Sequence, residues 1–139
     1  MPDWRIIPPA MMDIVAAYFP ETKPKGALRL RPCVVTRVLR NVNNGEIACE
    51  VAYGTSKVTA FSSGDYIVVH NTSDLDSMGL GMATVFVMDT ARRAILPWND
   101  TYFGCWTGKK SPKIGALTTE YQKEFAFIIM KQRKAAGLL

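Results

Sequence analysis

The fold class is decided by Cys33-Val-Val-Thr-Arg-Val-Leu39 and Glu46-Ile-Ala-Cys-Glu-Val-Ala-Tyr53. Both segments are rich in β-branched residues, which favour strands. The connecting Asn43-Asn44-Gly45 consists of residue types that accept a positive φ in a tight turn. The two segments are therefore predicted to form a β-hairpin.

Further strand-like segments lie on both sides of this hairpin. The N-terminal tail, with Pro8-Pro9, is predicted to be irregular because proline has no backbone N–H for a strand ladder. Several short strands at regular spacing indicate a sandwich or a barrel. Additional strands are predicted over 65–69, 84–88 and 93–96. Residues 13–19 fit either a helix turn or a strand, and the flanking prolines together with the β-prone residues of this segment favour a strand.

The hydrophobic period changes to a helical one near the C-terminus. Thr119 is the predicted N-cap, Gln122 would complete a capping box, and Gly137 is the predicted stop. The sequence thus predicts one mainly β domain, a small barrel with a C-terminal α-helix. The residues that recur at helical spacing are Leu117, Tyr121, Phe125, Ile128 and Ile129.

Composition agrees with a single folded domain. The chain has 139 residues, of which 48% are hydrophobic and 21% charged, which argues against disorder. The net charge of +5 is compatible with a nucleic-acid partner without establishing one. No segment has the pattern of a signal peptide or of a membrane span, so no membrane partner is expected.

The three cysteines do not have the spacing of a disulfide framework. Cys33 and Cys49 fall in apolar segments and are predicted to be buried, reduced thiols, which points to the cytoplasm. A metal site would need these two cysteines, Cys105 and His70 to converge without any Cys-x-x-Cys pair, so neither a metal nor a cofactor is predicted. His70, the single histidine, could act as a general base but has no recognisable partner.

The segments most suggestive of chemistry are Arg31-Pro-Cys-Val-Val35 and Val51-Ala-Tyr-Gly-Thr-Ser-Lys57. Antiparallel pairing in the hairpin would bring Arg31 close to Thr55, Ser56 and Lys57. A guanidinium, two hydroxyls and an ammonium suit a phosphodiester. The alternative is that Arg-Pro merely begins a strand and that Gly-Thr-Ser-Lys is a solvated turn.

The order and spacing of several short motifs resemble the PemK/MazF family of toxins from toxin–antitoxin systems. These motifs span about residues 12–98, and a C-terminal extension with the helix occupies about 99–139. The matching segments are Asp13-Ile-Val, Phe19-Pro-Glu21, Arg31-Pro-Cys-Val-Val35, Val51-Ala-Tyr-Gly-Thr-Ser-Lys57, Gly79-Leu80, Thr84-Val-Phe86 and Leu96-Pro-Trp98.

The resemblance implies an SH3-like barrel, usually a homodimer, that cleaves single-stranded RNA without a metal ion and is blocked by an antitoxin. In that family the ribose 2′-OH attacks the neighbouring phosphate and the 5′-hydroxyl leaves. Arg31 would stabilise the phosphorane charge and could serve as the acid, and Thr55 would hold the scissile phosphate. Proximity, rather than the resemblance, adds RNA-binding candidates: Ser56, Lys57, Lys23, Lys25 and Arg29.

The chain departs from the family pattern at identifiable positions. Met12 stands where close relatives commonly have a glycine before the first strand. The loop before Arg31 lacks the Glu-Gln-x-Gly type of segment seen in many members. Asp89, Arg92 and Arg93 do not match the spacing of an Arg/Asp pair that some members carry. No general base can be assigned, so catalysis stays open.

Two other functions are therefore kept beside the ribonuclease. One is a catalytically inactive barrel of the same kind that binds a protein, encoded for example by a phage or mobile element, through the segment 98–106 and the C-terminal helix. The other is a barrel that binds nucleic acid without cleaving it. The aromatic residues available for base stacking are Tyr53, Trp98, Tyr102, Phe103 and Trp106.

Overall fold

The computed structural model describes residues 3–18, 30–56 and 64–138. Short 3₁₀ turns lie at Trp4–Ile6 and Thr90–Arg92. Within these described ranges, no helix is long and apolar enough to cross a membrane. The strands are β1 (Asp13–Tyr18), β2 (Leu30–Arg40), β3 (Ile47–Thr55), β4 (Tyr66–Val69), β5 (Thr84–Val87), β6 (Ala94–Pro97) and β7 (Lys113–Ala116), and the helices are α1 (Thr72–Ser77) and α2 (Thr119–Ala135).

Strands β2 and β3 form the predicted hairpin. They pair antiparallel from Cys33 opposite Tyr53 to Arg40 opposite Ile47. In the turn, Gly45 has a φ of +73°, a conformation that glycine adopts without a steric penalty. The predicted hairpin is confirmed. Strand β2 extends beyond both of its predicted ends, whereas β3 begins one residue later and ends two residues later than predicted.

The strands form one curled antiparallel sheet in the order β4-β5-β3-β2-β1-β7, and β6 also pairs with β3. One edge of β3 is taken by β2, so its other edge serves two partners. Residues 48–51 pair with β6, and residues 54–55 pair with β5. This division curls the sheet, and the prediction of a mainly β small barrel with a C-terminal helix is confirmed.

The remaining predicted elements agree with the structure, with one local correction. The predicted strands correspond to β1, β4, β5 and β6, whereas α1 and β7 were not predicted. The predicted N-cap at Thr119 is wrong by one residue, because Thr118 has the extended backbone that precedes the helix (φ −79°, ψ 169°). The predicted stop is confirmed, since Gly137 has a φ of +75° just after the helix.

The sheet is covered on both faces because successive strand residues point to opposite sides. Ile14 and Val34 belong to a first core cluster, which α2 covers with Phe125 and Ile128. The second cluster occupies the other face. Its buried members are Val15, Ala17, Cys33, Val35, Cys49, Val51, Leu96, Trp98 and Phe103.

The second cluster contains two of the cysteines and is closed by the N-terminal segment. Cys33 and Cys49 are free and buried as predicted, and burial raises the pKa of each thiol to about 12. The rings of Trp4 and Trp98 meet edge to face, with centroids 5.0 Å apart. The Trp98 indole donates hydrogen bonds to the carbonyl oxygens of Trp4 and Ile7, at 3.0 and 3.1 Å.

A buried polar network joins the sheet to α2. Glu50 accepts hydrogen bonds from Thr36 Oγ1 at 2.7 Å and Arg37 Nη2 at 2.9 Å, and lies 3.4 Å from Arg93 Nη1. Arg93 also donates to the carbonyl oxygen of Met88 at 3.0 Å and to Gln132 of α2. Arg93 Nε is buried without a hydrogen-bond partner among the described residues. The other contacts of this network reach α2 through Gln132, so the helix is docked by polar contacts as well as by apolar packing.

A backbone crossing ties the segment after α1 to β7. A Cβ added to Gly79 would lie 2.1 Å from the carbonyl oxygen of Ile114, and one added to Gly115 would lie 2.2 Å from that of Met78. Both distances are far inside van der Waals contact. The two segments can therefore meet only because both positions are glycine.

We predict that Gly115→Ala destabilises the protein by about 2 kcal/mol or more, because the new methyl group meets backbone atoms that cannot rotate away. Gly81→Ala is the matched control, since among the described residues no atom beyond the adjoining positions of the chain lies within 4 Å of a Cβ added there. Urea unfolding followed by circular dichroism measures both variants. If the two variants unfold at the same urea concentration, the close backbone contact at Gly115 is contradicted.

We predict an acid-labile contribution from Glu50. Burial alone would raise the pKa of Glu50, but hydrogen bonds from Arg37 and Thr36 and the charge of Arg93 outweigh it, so the pKa is lowered from its ordinary value of 4.5. The folded state then binds fewer protons than the unfolded state. The stabilisation is complete above pH 4.5 and is lost as the pH falls through the lowered pKa.

Glu50→Gln is expected to cost about 3 kcal/mol near neutral pH, because it leaves a buried guanidinium without its counter-charge. It should also reduce the loss of stability on acidification. Urea midpoints at neutral and acid pH test both effects, with the exposed Glu46→Gln as control. The network is refuted as a source of stability if both variants behave alike.

Candidate functional site

A cavity of about 480 Å³ opens where the start of β2 meets the end of β3. Its volume falls in the range of about 300–1,000 Å³ that is common for small-molecule sites. The polar side chains of Arg31, Thr55 and Ser56 line it. Its other lining residues are Leu30, Pro32, Gly54, Gly79, Leu80, Gly81, Met82, Thr84, Trp106 and Ile114.

Strand register explains why Arg31 and Thr55 meet. Cys33 pairs with Tyr53, and the two site residues lie two positions further along each strand, towards the same end of the hairpin. Arg31 is also paired with Ala17 of β1, and Thr55 with Val85 of β5. Both residues therefore stand on paired strands, whose geometry is more rigid than that of a loop.

The floor of the cavity requires a glycine in the Gly54-Thr55-Ser56 motif. A Cβ added to Gly54 would lie 2.8 Å from the carbonyl oxygen of Pro32 and 2.9 Å from the ring of Phe86. There is no room for a side chain at this position. The close approach of β2, β3 and β5 is what brings Thr55 to the same cavity as Arg31.

The exposure of the three polar residues differs. Thr55 is 8% exposed, Arg31 is half-buried and Ser56 is exposed. Beneath them, the Cys33 thiol donates a weak hydrogen bond of 3.6 Å to the carbonyl oxygen of Arg31. The high pKa of this buried thiol keeps it protonated, so Cys33 is not a nucleophile in the cavity.

Part of the apolar lining of the cavity comes from two segments that are distant along the chain. Leu80 and Met82 lie on the loop between α1 and β5, and Ile114 lies on β7. Thr84 Oγ1 donates a hydrogen bond of 2.8 Å to the carbonyl oxygen of Met82, which stabilises that loop. The site thus combines a cationic, hydroxyl-bearing side with an apolar side.

The structure brings together Arg31, Thr55 and Ser56 of the predicted site residues. The other RNA-binding candidates lie outside the described residues. They are Lys23, Lys25, Arg29 and Lys57. The described part of the site therefore contains one cation, Arg31, and three hydroxyl-bearing residues, Thr55, Ser56 and Thr84. The hydroxyl of Thr84 donates to the carbonyl oxygen of Met82, so Arg31, Thr55 and Ser56 are the groups that together can bind an oxyanion.

Among the described residues that line the cavity there is no histidine, aspartate or glutamate. His70 is exposed and does not line it. Arg93, considered for an Arg/Asp pair, is buried against Glu50 and serves the network that docks α2. In the same described part of the chain, no three His, Cys, Asp or Glu side chains are grouped so as to hold a metal ion.

The structure corrects two of the aromatic candidates and singles out a third. Trp98 is 5% exposed and Phe103 is fully buried, so neither can stack on a base or form a protein-binding patch. Trp106 instead lines the cavity. The segment 98–106 contained the right residue, but sequence spacing did not show which aromatic ring faces the site.

No protein-family model matches the chain, and no curated protein sequence matches it. The cavity and the motif resemblance described above are therefore the two observations that bear on function. Of these, the cavity supplies the geometry, and the resemblance supplies a reaction to which that geometry is suited.

Proposed function

We propose that the chain is a metal-independent endoribonuclease of the toxin–antitoxin type, which cleaves single-stranded RNA. The observation that carries this proposal is the convergence of Arg31 and Thr55 on one cavity. These are the two residues to which the resemblance assigns catalytic roles. With the proposal come the family's implied partners, an antitoxin and a second copy of the chain, and a cytoplasmic location.

In the proposed reaction, the ribose 2′ oxygen forms a bond to the adjacent phosphorus and the bond from phosphorus to the 5′ oxygen breaks. The products are a 2′,3′-cyclic phosphate and a 5′-hydroxyl, and the 2′ proton is lost as the 5′ oxygen gains one. Arg31 offers two N–H donors to the oxygens that gain negative charge, and Thr55 donates its hydroxyl to the same phosphate. Stabilisation of developing charge is commonly the largest catalytic effect.

The backbone at Met12 adds support for the resemblance. Met12 has a φ of +77°, in the left-handed region that glycine occupies without strain. It directly precedes β1, at the position where relatives of this family commonly carry glycine. The conformation expected from a glycine is therefore kept here although the residue is methionine.

We expect the purified protein to cleave a mixed single-stranded RNA in the presence of EDTA and to leave 2′,3′-cyclic phosphate ends. Arg31→Ala and Thr55→Ala should each lower the cleavage rate by about 100-fold or more, because each removes a donor to the developing charge. Initial rates on an end-labelled RNA measure the effect. Circular dichroism of each variant shows whether it is folded.

Arg40→Ala is the matched control, because Arg40 is also a β2 arginine but is exposed at the far end of the strand, where it donates to the carbonyl oxygen of Gly45 at 3.3 Å. It should leave the rate unchanged. If folded Arg31→Ala and Thr55→Ala proteins keep full activity, the cavity is not the site of cleavage. If the folded wild-type protein does not cleave the RNA, the proposed ribonuclease function is wrong.

A non-catalytic protein-binding module is the second candidate, and one observation favours it. Phe127 and Met130 are 70% and 55% exposed, one turn apart on the outer surface of α2. Large apolar side chains grouped at a surface commonly mark a contact with a partner. This candidate gains weight if the folded wild type leaves RNA intact.

A further inference from the structure

We propose that Trp106 is the nucleobase-stacking residue of the cavity and that it holds a base next to the phosphate bound by Arg31 and Thr55. The inference rests on the proposed function, because it states how the same site would recognise a single-stranded RNA. Trp106 lies beyond residues 12–98, so the motif resemblance assigns it no role.

The loop that carries Trp106 is attached to β1 at both ends. On one side, Phe103 forms a β-bridge with Ala17, and Gly104 N donates to the carbonyl oxygen of Ala16 at 3.2 Å. On the other side, the carbonyl oxygen of Pro112 accepts from Ala16 N at 2.8 Å. The loop is therefore positioned by the sheet.

Close packing directs this loop towards the cavity. A Cβ added to Gly104 would lie 2.9 Å from Tyr18 Oη and 3.0 Å from Leu30 Cδ2, so the loop presses against the residue that begins β2. Leu30 itself lines the cavity, as does Trp106 two positions after Gly104. A turn follows, in which Lys109 N donates to the carbonyl oxygen of Trp106 at 2.9 Å.

The three tryptophans of the chain have different environments. Trp98 is buried with its indole N–H bonded, and Trp4 packs against the same second core cluster. Trp106 is half-buried and, among the described residues, belongs to neither core cluster. An indole that is not needed by the core and that borders a cationic cavity is suited to bind a flat apolar group.

A nucleobase fits this requirement better than an aliphatic group does. Stacking of a base on an aromatic side chain contributes about 1–3 kcal/mol and does not depend on base identity. Arg31 and Thr55 face the same cavity and would bind the phosphate of the same nucleotide or of its neighbour. Met82, which is 63% exposed, adds an apolar surface to the lining of the same cavity.

The test uses a short, fluorescently labelled single-stranded RNA whose 2′-hydroxyls are replaced by fluorine, so that binding is measured without cleavage. Fluorescence anisotropy with EDTA present gives the affinity. Trp106→Ala should weaken binding by about 10-fold to 100-fold, and Trp106→Phe by less, because a phenyl ring still stacks. Tyr102→Ala is the control, since this residue is exposed on the same segment and does not line the cavity.

Two further measurements separate stacking from a structural role. The first uses a set of RNA probes, each of which lacks the base at a different position. For one of these probes, wild-type binding should be weakened as much as Trp106→Ala weakens binding of the complete probe. The Trp106→Ala protein should bind that probe and the complete probe with equal affinity. RNA should also quench the tryptophan fluorescence of the wild type but not that of Trp106→Phe, which retains Trp4 and Trp98.

The outcomes distinguish this inference from the proposed function. If Trp106→Ala binds the probe as tightly as the wild type while Arg31→Ala binds weakly, the stacking role is wrong and the RNA site stands. If Trp106→Ala lowers the affinity for every probe that lacks a base by the same factor as for the complete probe, the stacking role is again wrong. If the folded wild type binds none of the probes, both proposals fail together.

Discussion

Strands β2 and β3 pair through the hydrogen bonds that run from Cys33 opposite Tyr53 to Arg40 opposite Ile47. Every other strand joins this pair or one of its neighbours: β1 adds to β2, and β5 and β6 share the second edge of β3. The same register sets Arg31 and Thr55 at one end of the hairpin. A slip by one residue between the two strands would turn one of these two side chains to the opposite face and so separate them.

The two faces of this small sheet are covered by different parts of the chain. One face is closed by the N-terminal segment, where Trp4 packs against Trp98. The other face is closed by α2, and there the buried Glu50 contacts Arg93, which in turn donates to the half-buried Gln132 of the helix. Apolar burial supplies most of the stabilisation, whereas the partnered polar groups restrict the helix to one position on the sheet.

The sequence was informative where local chemistry decides structure. The β2–β3 hairpin and α2 follow from β-branched runs, a glycine turn and helical spacing, and the meeting of Arg31 with Thr55 follows from antiparallel register. Strand β7 was missed because Lys113-Ile-Gly-Ala116 has little strand propensity and becomes a strand by pairing with β1. For the same reason, the burial of Trp98 and the position of Trp106 depend on long-range packing that spacing does not reveal.

The two partners of β1 are separated widely along the chain: β2 begins at Leu30, and β7 ends at Ala116. During synthesis on the ribosome, β1 can pair with β2 early, but its second edge has no described partner until residues 102–104 have emerged. That edge is complete only after the segment ending at Ala116 has followed. An unpaired edge is a template for pairing with another chain, and non-local pairing is slow. The order of translation therefore makes the closure of β1 by β7 a late event, and until then the nascent chain carries an open strand edge.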